Sequence, residues 1–414
     1  MEPSEDPSGI ADRHHDEWLR PEDPRLKGLA ERLFNELEAN TPRPPRFYLD
    51  AAERRRVMVE NLVANFALLV TANQPGARLI ISAKRDAKSR YDRAGFPKKA
   101  FMTVLESMER QGYIKRYVGT AHGKRTTLEP SERLLDLLQD AASFNAASRV
   151  EGAETVWLNM NVGPKKRKKW IDYSDTPRTK QMREQMETIN AAISRAEITL
   201  DGRSIGPVHL VRMFWTDSAD NERFDKHGRL YRGPWQTLKK QERHRLRIND
   251  QPIIELDFKS MFPRLCYHLA GKPQPDGDLY EGVPMSRDAS KLAMNALLCR
   301  TGPMRRMPDE LKAMLGLGWN GNRVSAALAH RHPAISHMFG TGCGLHLMYL
   351  ESEIMVSVLL KLIDQDIVAL PLHDGLFSQI EHEDACRAAM GDASEEILGV
   401  RLPVSMKANV FAAP

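Results

Sequence analysis

Apolar residues set the first elements. From residue 25, Leu26, Leu29, Leu33, Phe34 and Leu37 return every three or four positions, which predicts a helix with one apolar stripe. Asn40-Thr-Pro-Arg-Pro-Pro then breaks the pattern as a linker does, and residues 1–24, rich in Pro, Asp and Glu, predict disorder. Val59, Leu62, Val63, Phe66 and Val70 predict a second helix over 56–71. Gly95-Phe-Pro97 introduces a third, since proline suits a helix's first turn; its buried face is Phe101, Val104, Leu105 and Met108, and Gly112 stops it. The period then changes. Tyr113-Ile-Lys-Arg-Tyr-Val alternates like a strand, Ala121-His-Gly-Lys124 can turn, and Arg125-Thr-Thr-Leu128 returns. Met182, Met186, Ile189 and Ile193 predict a further helix over 179–193.

Two later stretches carry an acidic residue at the end of an apolar run. Ile253-Ile-Glu-Leu-Asp257-Phe-Lys-Ser-Met-Phe262-Pro263 reads as a buried strand, a turn, and a helix holding Leu265, Cys266 and Leu269. Ile367-Val-Ala-Leu-Pro-Leu-His373-Asp374-Gly375 repeats the arrangement, with Gly375 permitting a tight turn before Leu376 and Phe377. Carboxylates from two strands, 117 positions apart in sequence, suit magnesium completed by phosphates and water. Asp after a strand also serves as a turn or helix cap, and spacing alone does not choose. Between them, Ser286 is a plausible N-cap, and Arg287, Lys291 and Asn295 share one helical face. Such a stripe fits the phosphates and sugar of a nucleotide, or a solvated surface.

Composition adds boundaries. With 414 residues, 42% hydrophobic and 28% charged, the chain can bury two or three cores. Its net charge of +5 is too mild to name a partner, but residues 161–250 hold 20 Lys+Arg against 12 Asp+Glu. The run Lys165-Lys-Arg-Lys-Lys169-Trp170 is the densest part, suited to phosphate contact or to solvation. Cys266, Cys299, Cys343 and Cys386 form no CxxC pair, which argues against a disulfide framework or zinc ribbon. No secretory h-region and no long apolar run occur, so a cytoplasmic protein with no membrane partner is expected. His330, His332, His337 and His346 lack a ligand spacing. Helix, helix and basic-tipped hairpin over 46–142 resembles a winged helix-turn-helix. In that arrangement Lys98, Lys99 and Thr103 face a groove, and Lys124 and Arg125 hold phosphates on the wing; ordinary helix–hairpin packing with solvated charges is the other reading.

The order of these later motifs is similar to the palm and fingers of family A, DNA polymerase I-like enzymes. Asp257 is followed by Leu265-Cys-Tyr-His-Leu-Ala-Gly271, then Gly277-Asp-Leu-Tyr280, then Arg287 and Lys291, then His373-Asp374. Upstream, Gly228-Arg-Leu-Tyr and Trp235-Gln236 match two more elements, and Leu402-Pro-Val-Ser-Met-Lys-Ala-Asn resembles the closing strand. The resemblance covers 228–414. It implies an α+β fold, a palm with an antiparallel sheet and helical fingers, preceded by a mainly helical winged-helix-like domain. Boundaries expected are 1–45 for an acidic tail and short helix, 46–142 for the winged module, 143–227 for a basic, thumb-like connector, and 228–414 for palm and fingers.

What the resemblance implies is template-directed DNA polymerisation without a proofreading domain, using Mg2+, deoxynucleoside triphosphates and a primer-template. Asp257 and Asp374 would hold the metal ions; Arg287 and Lys291 would bind the triphosphate, with Lys291 acting on the leaving pyrophosphate and Asn295 beside them. Arg229, Gln236 and His373 would touch the primer-template, and the helix over 344–362, with Glu351 and Ser352, would line the template side. Several positions depart from the family. Phe262 stands where family A has Glu and resembles family B instead; a ring there excludes a 2′-hydroxyl and implies deoxynucleotide preference. Asn295 and Cys299 replace fingers aromatics, and Gly375 replaces a carboxylate. These departures favour a rival, a DNA-binding replication or regulatory protein whose palm is no longer catalytic; an RNA polymerase or primase is a further option. Oligomeric state is not legible.

Overall fold

The computed structural model describes residues 13–40, 49–71, 77–81, 89–119, 125–139, 147–162, 167–219 and 222–407. The expected turn over 121–124, Lys165 and Lys166 of the basic run, and the first twelve residues lie outside them. Two compact units emerge: Met1–Glu154 with Ile198–Pro207, and Thr155–Glu197 with Val208–Pro414.

In the first unit, helices Pro24–Ala39, Leu49–Thr71, Lys98–Arg110 and Glu132–Gln139 enclose a sheet. Strand order is Arg13–His14, Leu79–Ile81, Thr126–Pro130, Ile114–Tyr117, with only the first pair parallel. The apolar stripes meet as read: Leu26, Leu29, Leu33, Val59, Leu62, Phe66, Val104, Leu105 and Met108 share one buried core. Pro97 is the cap just before its helix. Residues 13–24 are folded, contrary to the expectation of disorder. Asp23 accepts from the Arg25 amide to start the first helix, and Leu19–Pro21 pairs with Ala147–Arg149. What composition could not show is the tertiary anchoring. Asn61 and Asn65, buried on the Leu49–Thr71 helix, donate to the carbonyls of Asp16 and Leu19, and the Asp16 amide donates to Asn65 Oδ1.

The second unit holds two sheets. One runs His227–Tyr231, Val211–Thr216, Val156–Val162, Arg167–Trp170. In the other, Gln251–Phe258 pairs antiparallel with Gly375–Gln379 along one side and with Leu246–Ile248 and Val404–Met406 along the other. Leu370–Leu372 and Gly375–Gln379 form a hairpin whose two loop residues are His373 and Asp374. His373 takes a positive φ of 58° to close it. The apolar helix Gly344–Ile363 packs on strand His227–Tyr231 and on helices Pro177–Arg195, Met261–Leu269, Arg287–Cys299 and Glu383–Leu398. The class is α+β, as expected. Among the described residues no helix is long and apolar enough to cross a membrane.

Candidate active site

Register brings the two aspartates together. Asp257, next to last in its strand, lies opposite Gly375, the residue after Asp374, and the Phe258 amide donates to the Asp374 carbonyl at 3.1 Å. Gly375 has no freedom to be larger: a Cβ there would stand 2.5 Å from the Leu256 carbonyl oxygen and 3.0 Å from Asp257 Oδ1. The glycine at this point is thus what allows the hairpin to pass tightly over the aspartate. Both carboxyls line a cavity of about 400 Å³.

Most residues singled out in the sequence line that same cavity. Phe262, on the first turn of Met261–Leu269, is buried, and Arg287, Lys291 and Asn295 come from one face of Arg287–Cys299. Ser286 caps that helix by accepting from the Ala289 amide at 3.3 Å. Arg229 and His373 complete the wall. Gln236 does not join them. Its amide donates to the carbonyls of Leu230 and Pro371 and accepts from the Gly233 amide, which spends it on the backbone. Lys98, Lys99 and Arg125 belong to the first unit. Lys98 faces Asp92 at 3.9 Å, Lys99 is exposed, and Arg125 meets His14 at 2.9 Å. His332 is a satisfied core histidine, between Tyr267 Oη and the Leu279 carbonyl.

Sequence reasoning missed three features that fix this geometry. Lys407, from the closing strand's end, contacts Asp257 Oδ2 at 2.8 Å and Glu255 Oε1 at 3.1 Å. Arg229 forms a two-bond pair with Glu351, at 2.6 and 2.8 Å, and its guanidinium lies 5.7 Å from the Phe262 ring centre. Asp278 ties the start of helix Arg287–Cys299 to the turn before Met261–Leu269. It accepts from Ser260 Oγ, from the Tyr280 amide and from Arg287 Nε at 2.7 Å. The motif phrases holding Arg229, Asp278 and Lys407 name these residues but not their partners; a partner 150 positions away, as Lys407 is from Asp257, leaves no signal in a linear text.

The charges are crowded and dry. Burial, then the Asp374 carboxylate, push the Asp257 carboxyl well above its usual range, against the pull of Lys407 and Lys291. Burial likewise pushes Glu351 up to about 7 in spite of Arg229, while the guanidinium keeps its proton. His373 is driven down to about 4, by burial and then by Arg229. Three cavity side chains keep a buried polar atom without a hydrogen-bond partner: Asp257 Oδ1, Asn295 Oδ1 and His373 Nδ1. Folded proteins satisfy most such atoms, so a group of them around one cavity marks a place for a ligand.

Known proteins add little. No family model matches the sequence, and no curated protein matches it. A solved structure that is similar, the POL domain of Pol1 from M. smegmatis in complex with DNA primer-template and dNTP, shares 11% identity at a TM-score of 0.30. The match covers 94% of this chain and 66% of that one. The chemistry therefore rests on the cavity.

Among the described residues no group of three or more His, Cys, Asp or Glu is placed to hold a metal ion. Two carboxylates suffice for magnesium when substrate phosphates supply the remaining oxygens, and the unpaired Asp257 oxygen is an atom that a cation would satisfy.

Proposed function

We propose that the second unit is a template-directed DNA polymerase that joins a deoxynucleotide to a primer 3′-hydroxyl. One observation carries the reading: two carboxylates far apart in sequence share a cavity with a helix face bearing Arg287 and Lys291, and polar atoms there are left unpaired. Asp257 and Asp374 are the residues to hold Mg2+, which when bound would stabilise the charge developing on the attacking and leaving oxygens. Lys291, exposed at the cavity, is set to bind the triphosphate and to protonate the pyrophosphate as it leaves. Arg287 exchanges its bond to Asp278 for a phosphate oxygen. Phe262, held beneath Arg229, is the ring that would lie under the sugar and exclude a 2′-hydroxyl. His373, kept neutral, is suited to accept or donate a single hydrogen bond at the primer end. In the first unit, Lys98, Lys99 and Arg125 would contact nucleic acid as a winged helix-turn-helix does.

Primer extension with wild type, Asp257→Asn and Asp374→Asn tests the reading. Magnesium-dependent extension by wild type that both substitutions abolish is the expected result. Absence of extension on DNA and RNA templates alike would sink it, and would leave the non-catalytic DNA-binding protein that Asn295, Cys299 and Gly375 favour.

A further inference from the structure

The sheet His227–Tyr231, Val211–Thr216, Val156–Val162, Arg167–Trp170 has two unlike faces. Leu158, Phe214 and Leu230 point to the buried side. Register places the other side chains together: Trp157 lies opposite Met213 and Met213 opposite Arg229, while Asn159 lies opposite both Trp215 and Trp170. Asn161 faces Lys168, and Val211 faces Tyr231. This second face is aromatic and cationic. Trp157 and Trp170 meet edge to face at 4.6 Å; the Arg232 guanidinium stands 5.4 Å from the Trp157 ring centre, and Lys168 Nζ stands 5.2 Å from Trp215. None of the four strands contains Asp or Glu. Two polar atoms of the face, Trp215 Nε1 and Asn159 Oδ1, are buried without a hydrogen-bond partner.

We propose that this face binds single-stranded nucleic acid and leads it to the cavity. Bases of any sequence stack on aromatic rings, and cations interleaved with those rings hold the backbone; the unpaired indole N–H and amide oxygen are a donor and an acceptor for base edges. Continuity with the cavity supports the direction of travel. Tyr231, stacked on His227 at 5.5 Å, lies 5.9 Å from His373, and both Arg229 and His373 line the cavity. The inference rests on the polymerase reading only for where the strand goes, not for what binds.

The test uses the full chain and fluorescein-labelled oligodeoxythymidine and oligouridine of about a dozen nucleotides, with a DNA duplex of equal length, followed by anisotropy at fixed salt. Either single strand should bind more tightly than the duplex, the two arms showing which sugar is preferred. Trp157→Ala and Trp215→Ala should each weaken single-strand binding about tenfold, with Trp157→Phe close to wild type. Lys168→Glu and Arg232→Glu, at exposed positions that leave the core intact, should weaken it as well and flatten its salt dependence. Wild-type affinity in all four of these weakened variants, preference for duplex, or displacement by an acidic peptide more readily than by unlabelled oligonucleotide would overturn the proposal. Tryptophan-dependent binding without any extension would sink the polymerase reading and leave this one standing.

Discussion

Two sets of buried polar side chains, one in each unit, are treated in opposite ways. In the first, Asn61 and Asn65 are wholly buried and wholly bonded: each amide nitrogen reaches two carbonyls, and each oxygen meets His15 or the Asp16 amide. In the cavity of the second, Asp257, Asn295 and His373 each keep an orphan atom. A polar group satisfied from within has been used to fix the chain, here by pinning residues 15–19 to a helix. One left unsatisfied costs stability and is kept where something else will pair with it. The contrast separates structural burial from functional burial without reference to any relative.

The largest expected effect lies in the cavity. Asp257→Asn and Asp374→Asn should each lower magnesium-dependent extension by about a thousandfold or more, because a transition-state interaction is lost and not a fold contact. Circular dichroism melts should show both variants folded; a variant that loses activity only by unfolding breaks the comparison.

Second in size is the pair Asn61→Ala and Asn295→Ala. The first strands the Leu19 carbonyl, removes one of two donors to the Asp16 carbonyl, and should cost about 2–4 kcal/mol in denaturant titrations. The second removes an atom that is already unpaired and should change stability by less than about 1 kcal/mol while weakening nucleotide binding. Equal costs would mean that the orphan atoms have no special status.

Much of this was legible in the linear chain, and the rest fails for one reason. Periodicity found the core of the first unit because Val59, Leu62, Val63 and Phe66 are local signals; the observed helix only begins earlier, at Leu49. The Ser286 cap and the Arg287, Lys291, Asn295 stripe are local too, whereas the α+β class is implied by the family resemblance. The connector over 143–227 reads as a basic stretch with one helix, yet the strands Val156–Val162, Arg167–Trp170 and Val211–Thr216 also lie in it. Its alternation is hidden because one side of Val156–Val162 carries Trp157, Asn159 and Asn161 in place of simple surface residues. Residues 13–24 fold against the expectation from composition because distant asparagines hold part of the stretch. Asp257 with Lys407 and Arg229 with Glu351 are pairings across more than a hundred positions, and no spacing rule reaches that far.

Gly375 sharpens the contrast at the level of the backbone. Gly375→Ala should cost about 1–3 kcal/mol, since the added carbon meets the Leu256 carbonyl oxygen at 2.5 Å and neither strand can yield without the other. It should also reduce extension, because the nearest side-chain atom displaced is Asp257 Oδ1. An alanine variant with wild-type stability and activity would show that the hairpin has room for a methyl group beside the Leu256 carbonyl and Asp257.

The smallest effect concerns acid. His15 is half-buried with Nε2 at 2.6 Å from Asn61 Oδ1, and its loss of solvent holds its pKa below the ordinary 6.5. With the folded value depressed, the unfolded chain takes up the proton first, so this residue's contribution is complete above pH 6.5 and declines as pH falls below it. Between pH 7.5 and 5.5 the wild type should lose about 1 kcal/mol relative to His15→Gln, whose amide does not titrate. The measurement is the difference between the two proteins' denaturation midpoints at each pH, which cancels the carboxylates common to both. A difference that stays constant with pH would mean His15 is solvated as freely in the folded chain as in the unfolded one, and the Asn61–Asn65 site would then no longer stand as the internally satisfied member of the comparison.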